Sequence, residues 1–119
     1  MGIGHGDRYD EHLRFIRQLP CPICGTQPCE AAHVRFSDAA TGKVSAVGVK
    51  PGDEFTVPLC SNHHRLDNDA QHRRGEREFW FHHRINPLAL ARRLFEVSPD
   101  TARGELIARQ ARRLCPWRD

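Results

Sequence analysis

Residues 21–24 read Cys-Pro-Ile-Cys, and residues 57–64 read Val-Pro-Leu-Cys-Ser-Asn-His-His. Two cysteines separated by two residues can bind one ion, because a tight turn after the first brings the sulfurs within about 4 Å of each other. Cys60 and His63 repeat this spacing with one nitrogen ligand, so the two pairs can complete a tetrahedral site. The sequence therefore predicts a structural Zn2+ ion held by Cys21, Cys24, Cys60 and His63.

The other two cysteines are expected to stay outside this site, with one alternative. Cys29 lies close enough to the first pair to replace His63 as the fourth ligand, although we favour a free buried thiol there. Cys115 has no partner at a metal-binding spacing and is expected to be free. The first residues lack the apolar run of a signal peptide, so we expect a reducing compartment, in which Cys-x-x-Cys spacing indicates metal ligands rather than disulfides.

Length and composition predict one small domain, residues 1–119. With 39% apolar residues and a mean hydropathy of −0.63, the chain can bury only a modest core, which a bound metal ion would supplement. We expect an N-terminal helix in residues 1–20, a zinc-bearing core in 21–83 and a helical extension in 84–119. Because no segment approaches the roughly twenty apolar residues of a membrane span, we expect a cytoplasmic protein, bacterial or phage-encoded.

The basic residues are nearly all arginines. Of 18 lysines and arginines only Lys43 and Lys50 are lysines, and the net charge is +3. The planar guanidinium group of arginine suits phosphate, and a pI near 8.8 is compatible with a nucleic-acid partner, although a GC-rich genome produces the same bias. The charge therefore permits DNA binding without requiring it, and Lys43 and Lys50, in a polar loop at residues 37–52, are the lysines expected to approach DNA.

The pattern of apolar and turn-forming residues predicts a ββα unit flanked by helices. The expected elements are a helix at 7–19, strands at 30–36 and 54–59, a helix from about 60 that is interrupted at 66–69, and two helices that begin at Asn86-Pro87 and near Ser98-Pro99. Asp7 and Asp69 are the expected N-caps of the first helix and of the stretch after the interruption. The aromatic residues 79–81 are expected in the core with Leu106, Ile107 and Leu114, whereas His5 and His12 are expected at the surface.

Three histidines remain outside the zinc pairs: His33, His64 and His72. A neutral imidazole at the end of the first strand can take a proton from water, which would make His33 a general base. His64 follows His63 and points about a quarter-turn away from it on a helix, so one histidine can serve the zinc ion while the next faces a second metal. His72 would join His64 if the chain bends at residues 67–69.

Taken in order, these features resemble the HNH (ββα-metal) nuclease superfamily: Cys-x-x-Cys, a strand histidine, an acidic loop, Val-Pro-Leu-Cys-x-x-His-His and a final histidine. The resemblance covers residues 21 to about 80 and is greatest with a zinc-bearing phage and prophage branch that includes a RecA-dependent, recombination-enhancing nuclease. It implies an α+β fold with a zinc-stabilised ββα-metal core between N- and C-terminal helices. It also implies hydrolysis of DNA phosphodiester bonds and a recombination protein as a partner.

The resemblance implies a role for each matching residue. His33 corresponds to the general base. The middle position of the motif, which is usually asparagine, falls near Asp53 or Glu54; Asp53 fits better, just before the second strand, where it would either brace the loop or contact the metal. The later histidines, His64 and His72, correspond to ligands of a catalytic ion, Mg2+ or Mn2+, that is separate from the structural zinc. Arg35 and Arg65 lie near enough to the motif in sequence to hold the scissile phosphate.

Two positions depart from the family pattern. The residue before the base is often histidine or aspartate, but here it is Ala32, and the gap between His64 and His72 is longer than one helical turn. Both departures concern the catalytic metal. The alternative function is therefore a catalytically inactive, zinc-dependent module of the same fold that binds nucleic acid or protein.

Overall fold

The computed structural model describes residues 3–35, 52–67 and 69–118, and within them the side chains from Tyr9 onward. Lys43 and Lys50 lie outside these ranges, as does the end of the expected first strand. The elements are α1 (Ile3–Gln18), β1 (Glu30–His33), β2 (Thr56–Leu59), a π-helical turn (Asn62–Leu66), α2 (Gln71–Arg74), α3 (Glu76–His83), α4 (Pro87–Val97), α5 (Thr101–Arg109) and α6 (Ala111–Leu114). Helices combined with a two-stranded sheet confirm the expectation of a small α+β fold.

The sheet pairs β1 with β2 in antiparallel register, with Glu30 opposite Leu59 and His33 opposite Thr56. β2 begins two residues later than predicted because the chain before it forms a turn. In that turn the Thr56 hydroxyl donates to the Asp53 carbonyl oxygen at 2.8 Å. The turn holds Asp53 beside the end of β1, where His33 lies.

The core lies between the sheet and the helices on either side of it. α1 packs against both strands and α4 packs against β2. Phe79 and Trp80 are fully buried, as predicted, and the Trp80 Nε1–H donates to the Gln71 Oε1 at 3.0 Å. Phe81 is 49% exposed, so its expected place in the core was wrong. On a helix Phe81 points about 100° away from Trp80, and here that direction is solvent.

Two predictions about α1 were wrong. The helix begins at Ile3 rather than at Asp7, so Asp7 lies inside it and is not its N-cap. His12 is only 2% exposed, and its ring contacts the rings of Phe15 and Phe95 at centroid distances of 5.8 and 5.0 Å. A residue three positions before Phe15 lies on the same face of a helix, and this face packs inward.

The C-terminal helices follow the predicted order. The Asn86 side chain accepts hydrogen bonds from the backbone N–H groups of Leu88 and Ala89, so Asn86 caps α4 as expected. The last predicted helix is divided at Gln110 into α5 and α6. Leu106 is 60% exposed rather than buried, because α5 turns its small residues Gly104 and Ala108 toward the core instead.

Gly104 lets α5 approach α1 closely. A β-carbon at this position would lie 2.6 Å from the Phe15 Cζ and 2.9 Å from the Leu19 Cδ2, and both side chains are buried. Although alanine has the higher helix propensity, Gly104→Ala is expected to lower the free energy of unfolding by about 1–3 kcal/mol. Urea unfolding measures this change, with the exposed Arg103→Ala as a control expected to stay within about 0.5 kcal/mol. A Gly104→Ala protein as stable as wild type would contradict the close packing.

Among the described residues, none of the helices has both the length and the apolar character needed to cross a membrane.

Candidate metal centre and histidine cluster

Four side chains converge where the turn after α1 meets the end of β2. The Sγ atoms of Cys21, Cys24 and Cys60 and a ring nitrogen of His63 all lie within 4.8 Å of one another. Cys24 Sγ is 3.7 Å from Cys60 Sγ, and His63 Nδ1 is 3.7 Å from Cys21 Sγ and 3.2 Å from Cys60 Sγ. The two predicted ligand pairs are therefore brought together as one Cys3His cluster.

These distances suit a tetrahedral metal such as zinc. With Zn–S bonds of about 2.3 Å and a Zn–N bond of about 2.0 Å, a tetrahedral site separates two sulfurs by about 3.8 Å and a sulfur from a nitrogen by about 3.5 Å. The observed sulfur–sulfur distance of 3.7 Å matches the first value, and the sulfur–nitrogen distances of 3.2 and 3.7 Å lie on either side of the second. The cluster could thus bind zinc with little rearrangement.

Local backbone structure explains how the first pair reaches this geometry. Gly25 has φ of +80°, a conformation that side chains disfavour, and its N–H donates to the Cys21 carbonyl at 2.8 Å. The Cys21 N–H donates to the Thr26 carbonyl at 2.9 Å and closes the turn from the other side. Glycine at position 25 permits this positive φ, and the turn directs both sulfurs to one side.

Cys29 lies outside the cluster, in which His63 provides the fourth ligand atom. Its buried thiol donates to the Thr26 carbonyl at 3.4 Å. A hydrogen bond from Cys29, opposed by burial, lowers the pKa of Cys21 to about 4, and the same contact raises the pKa of Cys29. Burial and the charge of Cys21 raise the pKa of Cys60 to about 11, and a bound cation would favour the ionised form of both sulfurs.

His33 and Asp53 form a second contact of predicted site residues. The His33 Nε2 lies 2.7 Å from the Asp53 Oδ1, and the two side chains are 21% and 32% exposed. An ionised carboxylate only accepts hydrogen bonds, so Nε2 carries the proton and Nδ1 is left as the basic nitrogen. Asp53 therefore contacts the imidazole that sequence analysis assigned as the base.

His64 is held by a carboxylate that sequence analysis did not single out. The His64 Nδ1 lies 2.7 Å from the Glu30 Oε1, and Glu30 also accepts from Ser61 and from the guanidinium of Arg65. The Arg65 guanidinium, with smaller contributions from His64 and Ser61, lowers the pKa of Glu30 to about 2, so this carboxylate stays ionised. A carboxylate on one ring nitrogen is the usual partner of a histidine whose other nitrogen binds metal.

His72 lies next to His64, with their ring centroids 4.4 Å apart. The predicted interruption makes this contact possible, because the π-helical turn ends at Leu66 and the backbone is extended at Asp67 and again at Ala70. Ala70 rather than Asp69 is the N-cap of α2, so that prediction was wrong. Burial, followed by the charges of His64, Arg35 and Arg65, lowers the pKa of His72 and favours its neutral form, which is the form that binds metal.

Arg35 connects the two histidine sites through its backbone. Its N–H donates to both carboxylate oxygens of Glu76 at 2.9 Å, which ties the chain just after His33 to the start of α3, four residues beyond His72. The side chain of Arg35 is close enough to influence the pKa of His72. Of the four predicted DNA-contacting residues, Arg35 and Arg65 thus lie beside the histidines, and Lys43 and Lys50 lie outside the described residues.

The fold and the cluster define a small α+β protein with a Cys3His site suited to a metal ion. The chain belongs to the DUF968 family, described as proteins of unknown function, whose model matches residues 5–90. This range includes every residue assigned to a site above. No curated protein and no solved structure matches the chain.

Proposed function

We propose that this protein is a metal-dependent HNH endonuclease that hydrolyses phosphodiester bonds of DNA. The observation that carries the proposal is that β1 contributes one residue to each of two histidine–carboxylate pairs. Glu30 at its start contacts His64, and His33 at its end contacts Asp53. The hydrogen bond from the Arg35 backbone to Glu76 supports their convergence, because it joins the segment after His33 to the start of α3, which directly follows the helix that carries His72.

In the proposed reaction His33 is the catalytic base. Asp53 accepts a hydrogen bond from the Nε2–H group and thereby leaves Nδ1 as the nitrogen that takes a proton from a water molecule. The oxygen of that water forms a bond to phosphorus as the bond to the leaving oxygen breaks. With about one-fifth of its side chain exposed, His33 remains accessible to the DNA backbone.

His64 and His72 would hold the catalytic ion, Mg2+ or Mn2+. Their donor set fits a divalent ion, since the two imidazoles are adjacent and Glu30 occupies the Nδ1 of His64 and leaves Nε2 for a ligand bond. When bound, such an ion supplies charge neutralisation at the leaving oxygen.

Arg35 and Arg65 would contact the phosphate. Both are exposed beside the histidines, and Arg65 is already oriented by its two-nitrogen contact with Glu30. A guanidinium offers paired N–H groups that match two phosphate oxygens, so these residues suit a role in positioning rather than in proton transfer. Lys43 and Lys50, which lie outside the described residues, remain predicted DNA contacts.

In this proposal the structural zinc would stabilise the segments that carry the catalytic residues. It would join the turn before β1 to the π-helical turn that carries His64, because Cys60, His63 and His64 are almost consecutive. A zinc ion bound by these residues would hold in place the π-helical turn that carries His64 and would take no part in the reaction.

Conversion of supercoiled plasmid to nicked or linear DNA tests the proposal. The zinc-loaded protein is expected to cut DNA with added Mg2+ or Mn2+ and to stop when the added ion is withdrawn by dialysis, with zinc content unchanged. A His33→Ala protein purified in parallel controls for contaminating nucleases. Absence of cutting with either ion, by protein that retains its zinc, would overturn the proposal.

A non-catalytic, zinc-dependent module that binds nucleic acid or protein is the second candidate. Ala32 favours it, because this residue is buried in the core at 1% exposure and supplies no ligand where HNH proteins often have one. Retained zinc and a shifted DNA band in a gel, without cleavage under any added ion, would establish nucleic-acid binding by such a module.

A further inference from the structure

An aromatic surface lies apart from the metal cluster, where α3 meets the end of the chain. Arg77, Glu78, Phe81 and Trp117 line a cleft of about 500 Å3, which we call the aromatic cleft. Its volume falls within the range of about 300–1,000 Å3 that is usual for ligand sites. Phe81 is 49% exposed, although Phe79 and Trp80 beside it in sequence are fully buried.

The rings of Phe81 and Trp117 meet edge to face in the cleft. The centroids of Phe81 and Trp117 are 5.9 Å apart with the ring planes at 78°, and the Arg77 guanidinium lies 5.0 Å from the Trp117 centroid. An exposed aromatic face next to an arginine is the combination on which unpaired nucleic-acid bases stack.

The backbone holds Trp117 in place. The Trp117 N–H donates to the Arg84 carbonyl at 3.1 Å, and the Asn86 N–H donates to the Cys115 carbonyl at 2.8 Å. Between these bonds Ile85 and Pro116 form an isolated antiparallel bridge. Trp117 is therefore fixed against the end of α3 before any ligand binds, which lowers the entropic cost of stacking.

The two segments that contribute residues to the cleft are rich in arginine, which favours a polyanion. Residues 71–84 contain four arginines and two glutamates, and residues 111–118 contain three arginines and no acidic residue, which gives seven arginines against two glutamates. One of the glutamates, Glu78, lines the cleft itself and would repel a phosphate there. A base in the cleft with phosphates on the surrounding arginines satisfies both features.

We infer that the aromatic cleft binds an unpaired base of single-stranded DNA, stacked on the exposed ring of Phe81 and bounded by the ring of Trp117. The choice of DNA as the ligand rests on the proposed function, and the inference extends that function to the form of the substrate. Bases inside an intact duplex are stacked on each other and cannot enter the cleft, so duplex DNA would be held by phosphate contacts alone.

Binding of fluorescently labelled DNA to the zinc-loaded protein, without added Mg2+ or Mn2+, tests the inference. Phe81→Ala and Trp117→Ala are each expected to weaken binding of a mixed-sequence single strand roughly 5- to 100-fold and to leave duplex of equal length within about twofold. Arg77→Ala should also weaken the single strand, whereas Arg92→Ala, an exposed arginine on α4, is the matched control. Zinc content and circular dichroism show whether each variant is folded.

Intrinsic fluorescence gives a second readout that does not depend on affinity. Trp80 is fully buried, so quenching of wild-type emission by the single strand would come from Trp117 and disappear in Trp117→Phe. Single-strand affinity unchanged in both Phe81→Ala and Trp117→Ala would overturn the inference, as would equal losses for single strand and duplex. Plasmid cleavage is measured separately. If cleavage depends on His33 but Phe81→Ala and Trp117→Ala keep the single-strand affinity of wild type, only the inference about the cleft is refuted. If the cleft binds single strands selectively but no cleavage occurs, only the proposed nuclease activity is refuted.

Discussion

Cys60→Ala is expected to leave the protein without stoichiometric zinc and largely unfolded. Cys60 belongs to the cluster of four ligand atoms, and its sulfur lies within 3.7 Å of Cys24 and 3.2 Å of His63. Structural zinc contributes an apparent binding free energy of about 10–16 kcal/mol, which equals or exceeds the total stability of about 5–15 kcal/mol of a typical domain. Loss of one ligand in a chain with so small a core therefore removes most of the stability.

Cys115→Ala is the matched control, because Cys115 is equally buried and lies outside the cluster. Elemental analysis should give one zinc per chain for wild type and for Cys115→Ala, with cooperative thermal unfolding in both. Cys29→Ala against His63→Ala identifies the fourth ligand: the first should keep its zinc and the second should lose it. A full complement of zinc in well-folded Cys60→Ala would refute the assigned ligand set.

His33→Ala is expected to reduce the rate of DNA cleavage by a factor of about 10²–10⁴, which is the usual contribution of a positioned general base. If Asp53 acts only through the imidazole, as proposed, Asp53→Ala should reduce the rate less, and the double variant should be no slower than His33→Ala. Because both side chains are partly exposed, neither substitution is expected to unfold the protein.

The decisive measurement is the single-turnover rate of all three variants at saturating DNA, with zinc content as the control for folding. Glu54→Ala, which removes the carboxylate next to Asp53 in sequence, should leave the rate nearly unchanged. Additive losses at His33 and Asp53 would mean that the two residues act independently. A His33→Ala protein with the wild-type rate would remove His33 from the mechanism.

The parts of the site that depend on local spacing could be predicted from the sequence. Both ligand pairs are formed by turns of three or four residues, so Cys21 with Cys24 and Cys60 with His63 were found without knowledge of the fold. The bend that brings His72 next to His64 could also be predicted, because the run of asparagine and aspartate at 67–69 disfavours a continuous helix.

Contacts between residues far apart in the sequence could not be predicted in this way. Glu30 reaches His64 across 34 positions, and a glutamate at the start of a short strand gives no sign of such a partner. His12 and Leu106 were misplaced for a related reason. Periodicity identifies a helix face, but the partner helix decides which residues it buries, and here small Gly104 faces the core where Leu106 was expected.

The bridge between Ile85 and Pro116 returns the last segment of the chain to the end of α3. The family model ends at residue 90, so Phe81 lies inside the matched region and Trp117 lies beyond it, whereas all four ligand atoms of the Cys3His cluster are inside. Mutations after residue 90 can therefore reshape the aromatic cleft without touching a metal ligand. Part of the aromatic cleft can therefore change during evolution while the Cys3His cluster stays the same.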